Sequence, residues 1–171
     1  MTSDWNPMTH LPNTLHCAQD AIREAGRRIR PSNRRPYRSS EDNLGAADPG
    51  APSEVPGMMN RIAARAARAE QDGAGNCSEI AAACFMQLRR SGVHPIDYMT
   101  LTNGDHAFVV IGRGRDSDDT DCSRWGDAAV VCDAWVEAAY PATRAQMVQN
   151  IPGAVQPRYR SLYRWDPKKI G

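Results

Sequence analysis

Three residues of this sequence belong to types that together perform acyl transfer through sulfur: Cys77, His106 and Asp133. A thiolate acts as the nucleophile, an imidazole takes and returns a proton, and a carboxylate orients the imidazole and stabilises its charged form. Cys77 directly precedes the apolar run 78–90, which predicts that its sulfur lies at the N-terminus of a buried helix. Backbone N–H groups and the helix dipole favour the thiolate at that position.

His106 and Asp133 flank two β-like runs: His106 precedes 107–111, and Asp133 follows 128–132. The polar segment 113–127 between them predicts a hairpin loop. A register that pairs His106 with Asp133 places both side chains on one face. That face continues through Phe108, Val110, Ala129 and Val131. We expect the helix that carries Cys77 to pack there, which would bring the thiol to the imidazole.

Five further residues are candidates for oxyanion or substrate binding: Gln71, Asn76, Ser78, Trp125 and Trp135. The backbone amides of Cys77 and Ser78 could donate to an oxyanion, and the side chains of Gln71 and Asn76 are both candidates for the same task. The two tryptophans could wall the cleft or pack in the core. Glycines just ahead of Cys77 would let a substrate approach closely.

The composition excludes several classes of protein. The 171 residues, 41% of them hydrophobic, suffice for one compact domain with a tail. Because 21 basic residues face 20 acidic ones, the net charge of +1 does not favour a nucleic-acid or membrane partner. No signal peptide is expected from the polar start, and no apolar run is long enough to span a bilayer. The five cysteines lack disulfide or zinc spacing, so we expect free thiols and no metal or other cofactor.

Periodicity and composition divide the chain into an N-terminal region, 1–57, and a catalytic domain, 58–171. The first region is predicted to hold an amphipathic helix and a disordered linker from 31 onward. In the second region, a helix is expected over 58–70, with Arg61, Arg65 and Arg68 pointing away from its small apolar stripe. The remaining predicted elements are a core helix at 78–90, strands at 95–101, 107–111 and 128–132, a short helix at 143–149 and a strand at 159–164.

Three runs resemble a known superfamily: GNCSEIAAACF, GDHAFVVIGR and WGDAAVVCDAW. They are similar to the Cys, His and Asp blocks of transglutaminase-like and papain-like proteins, in the version found in bacterial toxins and injected effectors. The resemblance covers residues 75–135. It implies an α+β fold in which a core helix carrying Cys77 packs on an antiparallel sheet carrying His106 and Asp133. Family members often have proline shortly after the acid, where this chain has Ala134 and Trp135.

Thioacyl chemistry has three outcomes that depend on substrate and acceptor. Water acting on a glutamine side chain gives deamidation, water on a backbone amide gives proteolysis, and an amine acceptor gives transglutamination. The resemblance implies first a protein-glutamine deamidase, second a cysteine protease and third a transglutaminase. It further implies a monomeric toxin or effector that reaches a protein substrate in a target cell through a specialised bacterial secretion system, or otherwise stays in the bacterial cytoplasm. The alternative from another class is a non-catalytic binding module in which Cys77 is only a core residue.

Overall fold

The computed structural model describes residues 11–32, 57–151 and 157–167. Within these ranges the α-helices are α1 (Leu11–Arg28), α2 (Met58–Asp72), α3 (Cys77–Arg90) and α4 (Arg144–Asn150). The strands are β1 (Arg30–Pro31), β2 (Ala74–Gly75), β3 (Ile96–Leu101), β4 (Ala107–Ile111), β5 (Val130–Asp133), β6 (Ala138–Pro141) and β7 (Tyr159–Trp165). The predicted α+β class and antiparallel sheet are confirmed. Most of the predicted linker, from residue 33 to 56, lies outside the described residues.

The larger sheet has five strands in the order β6-β5-β4-β3-β7, all paired antiparallel. Helices α1, α2 and α3 cover one face. This helix-covered face presents side chains such as Tyr98, Val109 and Cys132. The opposite face presents Phe108 and Val131, and the segment between β4 and β5 packs against it together with α4. The strands are therefore apolar on both faces, as is typical of a sheet that is covered on both sides.

The predicted hairpin between β4 and β5 is confirmed, but its predicted register is wrong by two residues. Val110 pairs with Val131 instead of Ala129. Because side chains alternate with a period of two, an even displacement leaves His106 and Asp133 on a common face. The expected position of the cysteine helix is also wrong. Helix α3 packs on the face of Val109, opposite to the one that carries Phe108.

Helix α1 belongs to the same core as α2 and α3. Its residues Ala18, Ala21 and Ala25, and Ile29 just beyond its end, are buried in the helix-covered cluster. Beyond α1, β1 pairs in parallel with β2, and the N–H of Ser32 donates to the carbonyl of Gly75 at 2.9 Å. The proposed boundary between 57 and 58 therefore does not separate α1 from the core.

Two element predictions need correction in detail. Helix α2 extends to Asp72, beyond the predicted end at 70, and finishes at Gly73, whose φ of +67° suits glycine. Strand β6 was not predicted. It consists of two partly exposed alanines, the buried Tyr140 and a proline, a pattern that lacks the alternation of a half-buried strand. It forms one edge of the sheet, where proline is tolerated.

Candidate active site

Cys77 is the first residue of α3, as the sequence indicates. Asn76 caps this helix: its Oδ1 accepts from the N–H of Glu79 at 3.0 Å. The Glu79 carboxylate accepts in return from the Asn76 N–H at 3.4 Å, which completes a capping box. The Cys77 side chain is partly exposed. A cysteine in this position meets the positive end of the helix dipole and remains accessible to a substrate.

His106 lies just before β4, at the end of the sheet where β5 finishes. Its carbonyl oxygen accepts from the N–H of Leu101 and from the Thr100 hydroxyl, both at 3.2 Å. These two bonds fix its backbone against the end of β3. Its ring stacks on Phe108 with centroids 5.8 Å apart. The imidazole is therefore held from both its backbone and its ring face.

Asp133 binds the His106 ring and is itself held by the next turn of the chain. The Nε2 of His106 and the Oδ2 of Asp133 are 2.6 Å apart. The other carboxylate oxygen, Oδ1, accepts from the N–H of Trp135 at 3.1 Å. Asp133 is 1% exposed and His106 is 7% exposed. A short, buried pair of this kind fixes the orientation of the imidazole and stabilises its protonated form.

The Cys77 side chain lies close enough to the His106 imidazole to raise its pKa. Since Nε2 binds Asp133, Nδ1 is the ring nitrogen that remains for the sulfur. Burial alone lowers the pKa of His106, but the hydrogen bonds and negative charges of Asp133 and Cys77 outweigh it and raise the pKa to about 9. The imidazole is therefore protonated at neutral pH. A protonated imidazole beside a sulfur nucleophile is a proton donor for a leaving group.

The three residues meet around the end of the sheet, although α3 covers the opposite face. This is possible because His106 precedes β4 and is not part of its ladder. The first turn of α3 is also bound to β3, because the Tyr98 hydroxyl donates to the Ser78 carbonyl at 2.7 Å. Only the N-terminus of α3 comes near His106, and the rest of the helix packs on the other face of the sheet.

Of the other five candidates, only two are next to Cys77 in the chain. Ser78 and Asn76 flank Cys77, but their side chains bind each other: Ser78 Oγ donates to Asn76 Oδ1 at 2.9 Å. Their side-chain oxygens therefore stabilise the turn. The backbone N–H groups of Cys77 and Ser78 lie in the first turn of α3, where a helix supplies no internal acceptor. They are the oxyanion donors that fit this geometry best.

Gln71, Trp125 and Trp135 have other surroundings. Gln71 is exposed in the last turn of α2. Trp125 is fully buried on the face of the sheet away from α3, with its Nε1–H donating to the Asp118 carbonyl at 3.0 Å. It cannot wall an open cleft, so its core interpretation holds. Trp135 touches the site through its backbone N–H to Asp133.

The glycines ahead of Cys77 do not provide space for a substrate. A Cβ at Gly75 would lie 3.0 Å from the Glu79 Cβ and 3.3 Å from both Ala69 and Ile29. Gly75 therefore permits the close approach of Ile29, α2 and α3 behind Cys77. The expectation that it admits a substrate is wrong.

Two residues beside the site were missed from the sequence. Arg65 was expected to point away from the core, yet it is 5% exposed and its Nη1 donates to Ser78 Oγ at 3.0 Å. Its position between Ile62 and Ala69, at three- and four-residue steps, is the signal that places it on the buried face of α2. Tyr98 is fully buried in β3 and binds the Ser78 carbonyl.

Among the described residues, no group of three or more His, Cys, Asp and Glu side chains is arranged to hold a metal ion. No helix in the described part of the chain is long and apolar enough to cross a membrane. Comparison of the chain with protein-family models, with curated proteins and with solved structures finds no significant match.

Proposed function

We propose that this chain is a thiol-dependent acyl-transfer enzyme with Cys77 as its nucleophile. The observation that carries the proposal is the position of His106 between two partners. One ring nitrogen binds the buried Asp133 at 2.6 Å, and Cys77, at the N-terminus of α3, lies close enough to the imidazole to raise its pKa. A thiol, a base and an orienting acid in this order make up a nucleophilic triad.

The residues would act in two half-reactions. The Cys77 thiolate attacks the carbon of a carboxamide, and the N–H groups of Cys77 and Ser78 stabilise the negative charge on its oxygen. Protonated His106 gives its proton to the departing nitrogen as the C–N bond breaks, which leaves a thioester on Cys77. In the second half, His106 takes a proton from water as the water attacks the thioester. The products are a carboxylate and the regenerated thiolate.

We infer that the preferred reaction is deamidation of a protein glutamine, with ammonia as the leaving group. The resemblance of the Cys, His and Asp blocks to transglutaminase-like and papain-like toxins supports this choice. A core helix that carries the cysteine and an antiparallel sheet that positions the histidine and acid agree with that superfamily. Proteolysis and transglutamination use the same triad and differ only in the substrate amide or the acceptor. The substrate is then a protein of a target cell, reached through a specialised secretion system.

The test is alkylation of each cysteine by iodoacetamide across a pH series, followed by peptide mapping. Cys17 provides a reference thiol in the same molecule, because burial and the nearby Asp20 charge raise its pKa. We expect Cys77 to react faster than Cys17 near neutral pH, and we expect His106→Ala to slow Cys77 alone. A Cys77 that reacts no faster than Cys17, with no effect of His106→Ala, would identify the chain as a binding module with a core cysteine.

A second measurement separates the three reactions. Protein mixtures incubated with the wild type and with Cys77→Ala are compared by mass spectrometry. New glutamates at former glutamine positions support deamidation, new termini support proteolysis, and new amine adducts support transglutamination. Each product must depend on Cys77 to count.

A further inference from the structure

The region behind Cys77 contains a buried cation that the triad does not use. Arg65 lies in α2 with 5% of its surface exposed. Its Nη1 donates to the Ser78 hydroxyl at 3.0 Å. It also hydrogen-bonds to the Tyr98 hydroxyl, whose burial raises the pKa of Tyr98 to about 12, while the Arg65 charge opposes that rise. Arg65 thus connects α2 to α3 and β3 at the residue next to the nucleophile.

Ser78 links Arg65 and Tyr98 to the rest of the turn through its own hydrogen bonds. Its hydroxyl accepts from Arg65 and donates to Asn76 Oδ1 at 2.9 Å. Its carbonyl accepts from Tyr98 at 2.7 Å. The residues on both sides of Cys77 are therefore fixed by side chains from three elements. Because Ser78 also supplies one of the proposed oxyanion donors, the direction of its N–H depends on this network.

Burying an arginine is costly unless its charge and donors are used. Charged and titratable groups with contacts in the first turn of α3 include Arg65 from α2, Glu79 within the turn and Tyr98 from β3. His106 lies beside Cys77 and binds Asp133. In this set Arg65 carries a permanent positive charge, since a guanidinium stays protonated over the working pH range.

We propose that Arg65 is a positioning residue for Cys77: it fixes the first turn of α3 through Ser78 and supplies a buried positive charge that favours the thiolate. This inference rests on the proposed function of Cys77 and deepens it. The attacking thiolate and the oxyanion formed during attack are both negative, so one fixed cation behind the turn stabilises both states. A guanidinium suits the task because its planar donors reach Ser78 and Tyr98 together.

The test compares alkylation of Cys77 in the full chain across the pH series used for the wild type. In Arg65→Gln we expect the pH midpoint of the reaction to rise by about one unit and the rate at pH 7 to fall about tenfold. Arg65→Lys keeps the positive charge, so its pH midpoint should lie close to that of the wild type. Arg113→Gln removes a different buried arginine, and Arg61→Gln an exposed one on the same helix. Both controls should keep the wild-type midpoint.

The proposal is overturned if folded Arg65→Gln gives the wild-type midpoint and rate. If that variant fails to fold, Ser78→Ala tests the proposal instead, because it removes the hydrogen bond between Arg65 and Ser78 but leaves Arg65 in place. Slower Cys77 alkylation in Ser78→Ala supports the proposal, and an unchanged profile overturns it. Failure of the underlying function is recognised separately: the wild type itself would then show no rapid reaction at Cys77 and no response to His106→Ala.

Discussion

Asp133 is held on both of its oxygens, and one of them binds His106 Nε2 at 2.6 Å. Extending the observed register of β4 and β5 by one residue puts Asp133 opposite Phe108. His106 and Asp133 are therefore diagonal neighbours across the hairpin. His106 thus reaches Asp133 from just ahead of the first residue of β4, at the end of the sheet where β5 finishes.

Replacement of Asp133 by asparagine should lower the pKa of His106. The amide keeps the shape of the carboxylate but loses the negative charge that stabilises the imidazolium. An opposite charge this close changes a pKa by about one to three pH units, so an NMR titration of the His106 ring should show a fall in that range. Catalytic turnover should fall about 10²- to 10⁴-fold. Asp105→Asn, an exposed neighbour of His106, should leave the titration nearly unchanged because water and salt screen its charge.

The stability of the protein should depend on pH through His106. Its pKa is raised from 6.5 to about 9 in the folded state. The stabilisation is then complete below pH 6.5 and disappears as the pH rises toward 9. A change of this size corresponds to a loss of about 3 kcal/mol in the free energy of unfolding.

Urea unfolding of the wild type and of His106→Gln across this pH range tests the point. The variant removes the titrating group, so subtracting its curve cancels the contributions of other residues. The difference between the two proteins should shrink as the pH rises. A difference that stays constant from pH 6 to 9 would refute the raised pKa.

A buried ion cluster at the opposite end of the sheet should control stability without touching reactivity. Asp97 is fully buried and accepts from Arg113 at 3.0 and 3.1 Å, from Arg164 at 3.0 Å and from the Ser161 hydroxyl at 2.7 Å. Asp97→Ala leaves two guanidinium groups without their carboxylate. The expected cost is about 3 to 5 kcal/mol of unfolding free energy.

Chemical denaturation measures that cost, and the exposed Asp116 provides the control. Asp116→Ala should change the unfolding free energy by less than about 0.5 kcal/mol. In both variants, the alkylation profile of Cys77 in folded protein should match the wild type. A small effect of Asp97→Ala would mean that the cluster is replaced by water without loss.

Two glycine-to-alanine substitutions should change the free energy of unfolding in opposite directions. At Gly75 the new methyl would lie 3.0 Å from the Glu79 Cβ and 3.3 Å from Ala69, so overpacking should cost about 1 to 3 kcal/mol. At Gly26, inside α1, a Cβ meets nothing within 4 Å. Alanine there should stabilise the protein by about 0.5 to 1 kcal/mol through its higher helix propensity. Thermal unfolding of both variants checks the pair, and equal effects would contradict the packing described around Gly75.

The sequence predicted much of the fold because the relevant signals are local. Helix α3 and strands β4 and β7 were located from periodicity and apolar runs. The register of β4 against β5 was not accessible in the same way. All residues of β4 are buried, so both of its faces are apolar and neither marks the side that α3 covers. Alternation fixes which residues share a face, which is why His106 and Asp133 were placed together despite the displaced register.

Arg65 shows where local patterns fail for the site. Its spacing agrees with the buried face of α2, but an arginine in a stripe of small residues is normally read as exposed. Its burial depends on Ser78 and Tyr98, which lie far along the chain. Trp125 gives another case: the sequence leaves open whether it lines the cleft or packs in the core, and the fold buries it against Tyr159 on the face away from α3. Only the tertiary arrangement determines whether Arg65 and Trp125 are buried or exposed.

The short parallel pairing of β1 with β2 links the chain's first helix directly to the segment that leads into Cys77. Together, α1 and β1 occupy residues 11–31 and are joined to the rest of the core through the stretch 33–56. A protease that cuts that stretch would therefore create a split protein. Its two pieces would stay associated through non-covalent contacts alone, and the nucleophile would belong to the larger one. If the isolated remainder lost the reactivity proposed for Cys77, addition of a peptide of residues 11–32 should restore it.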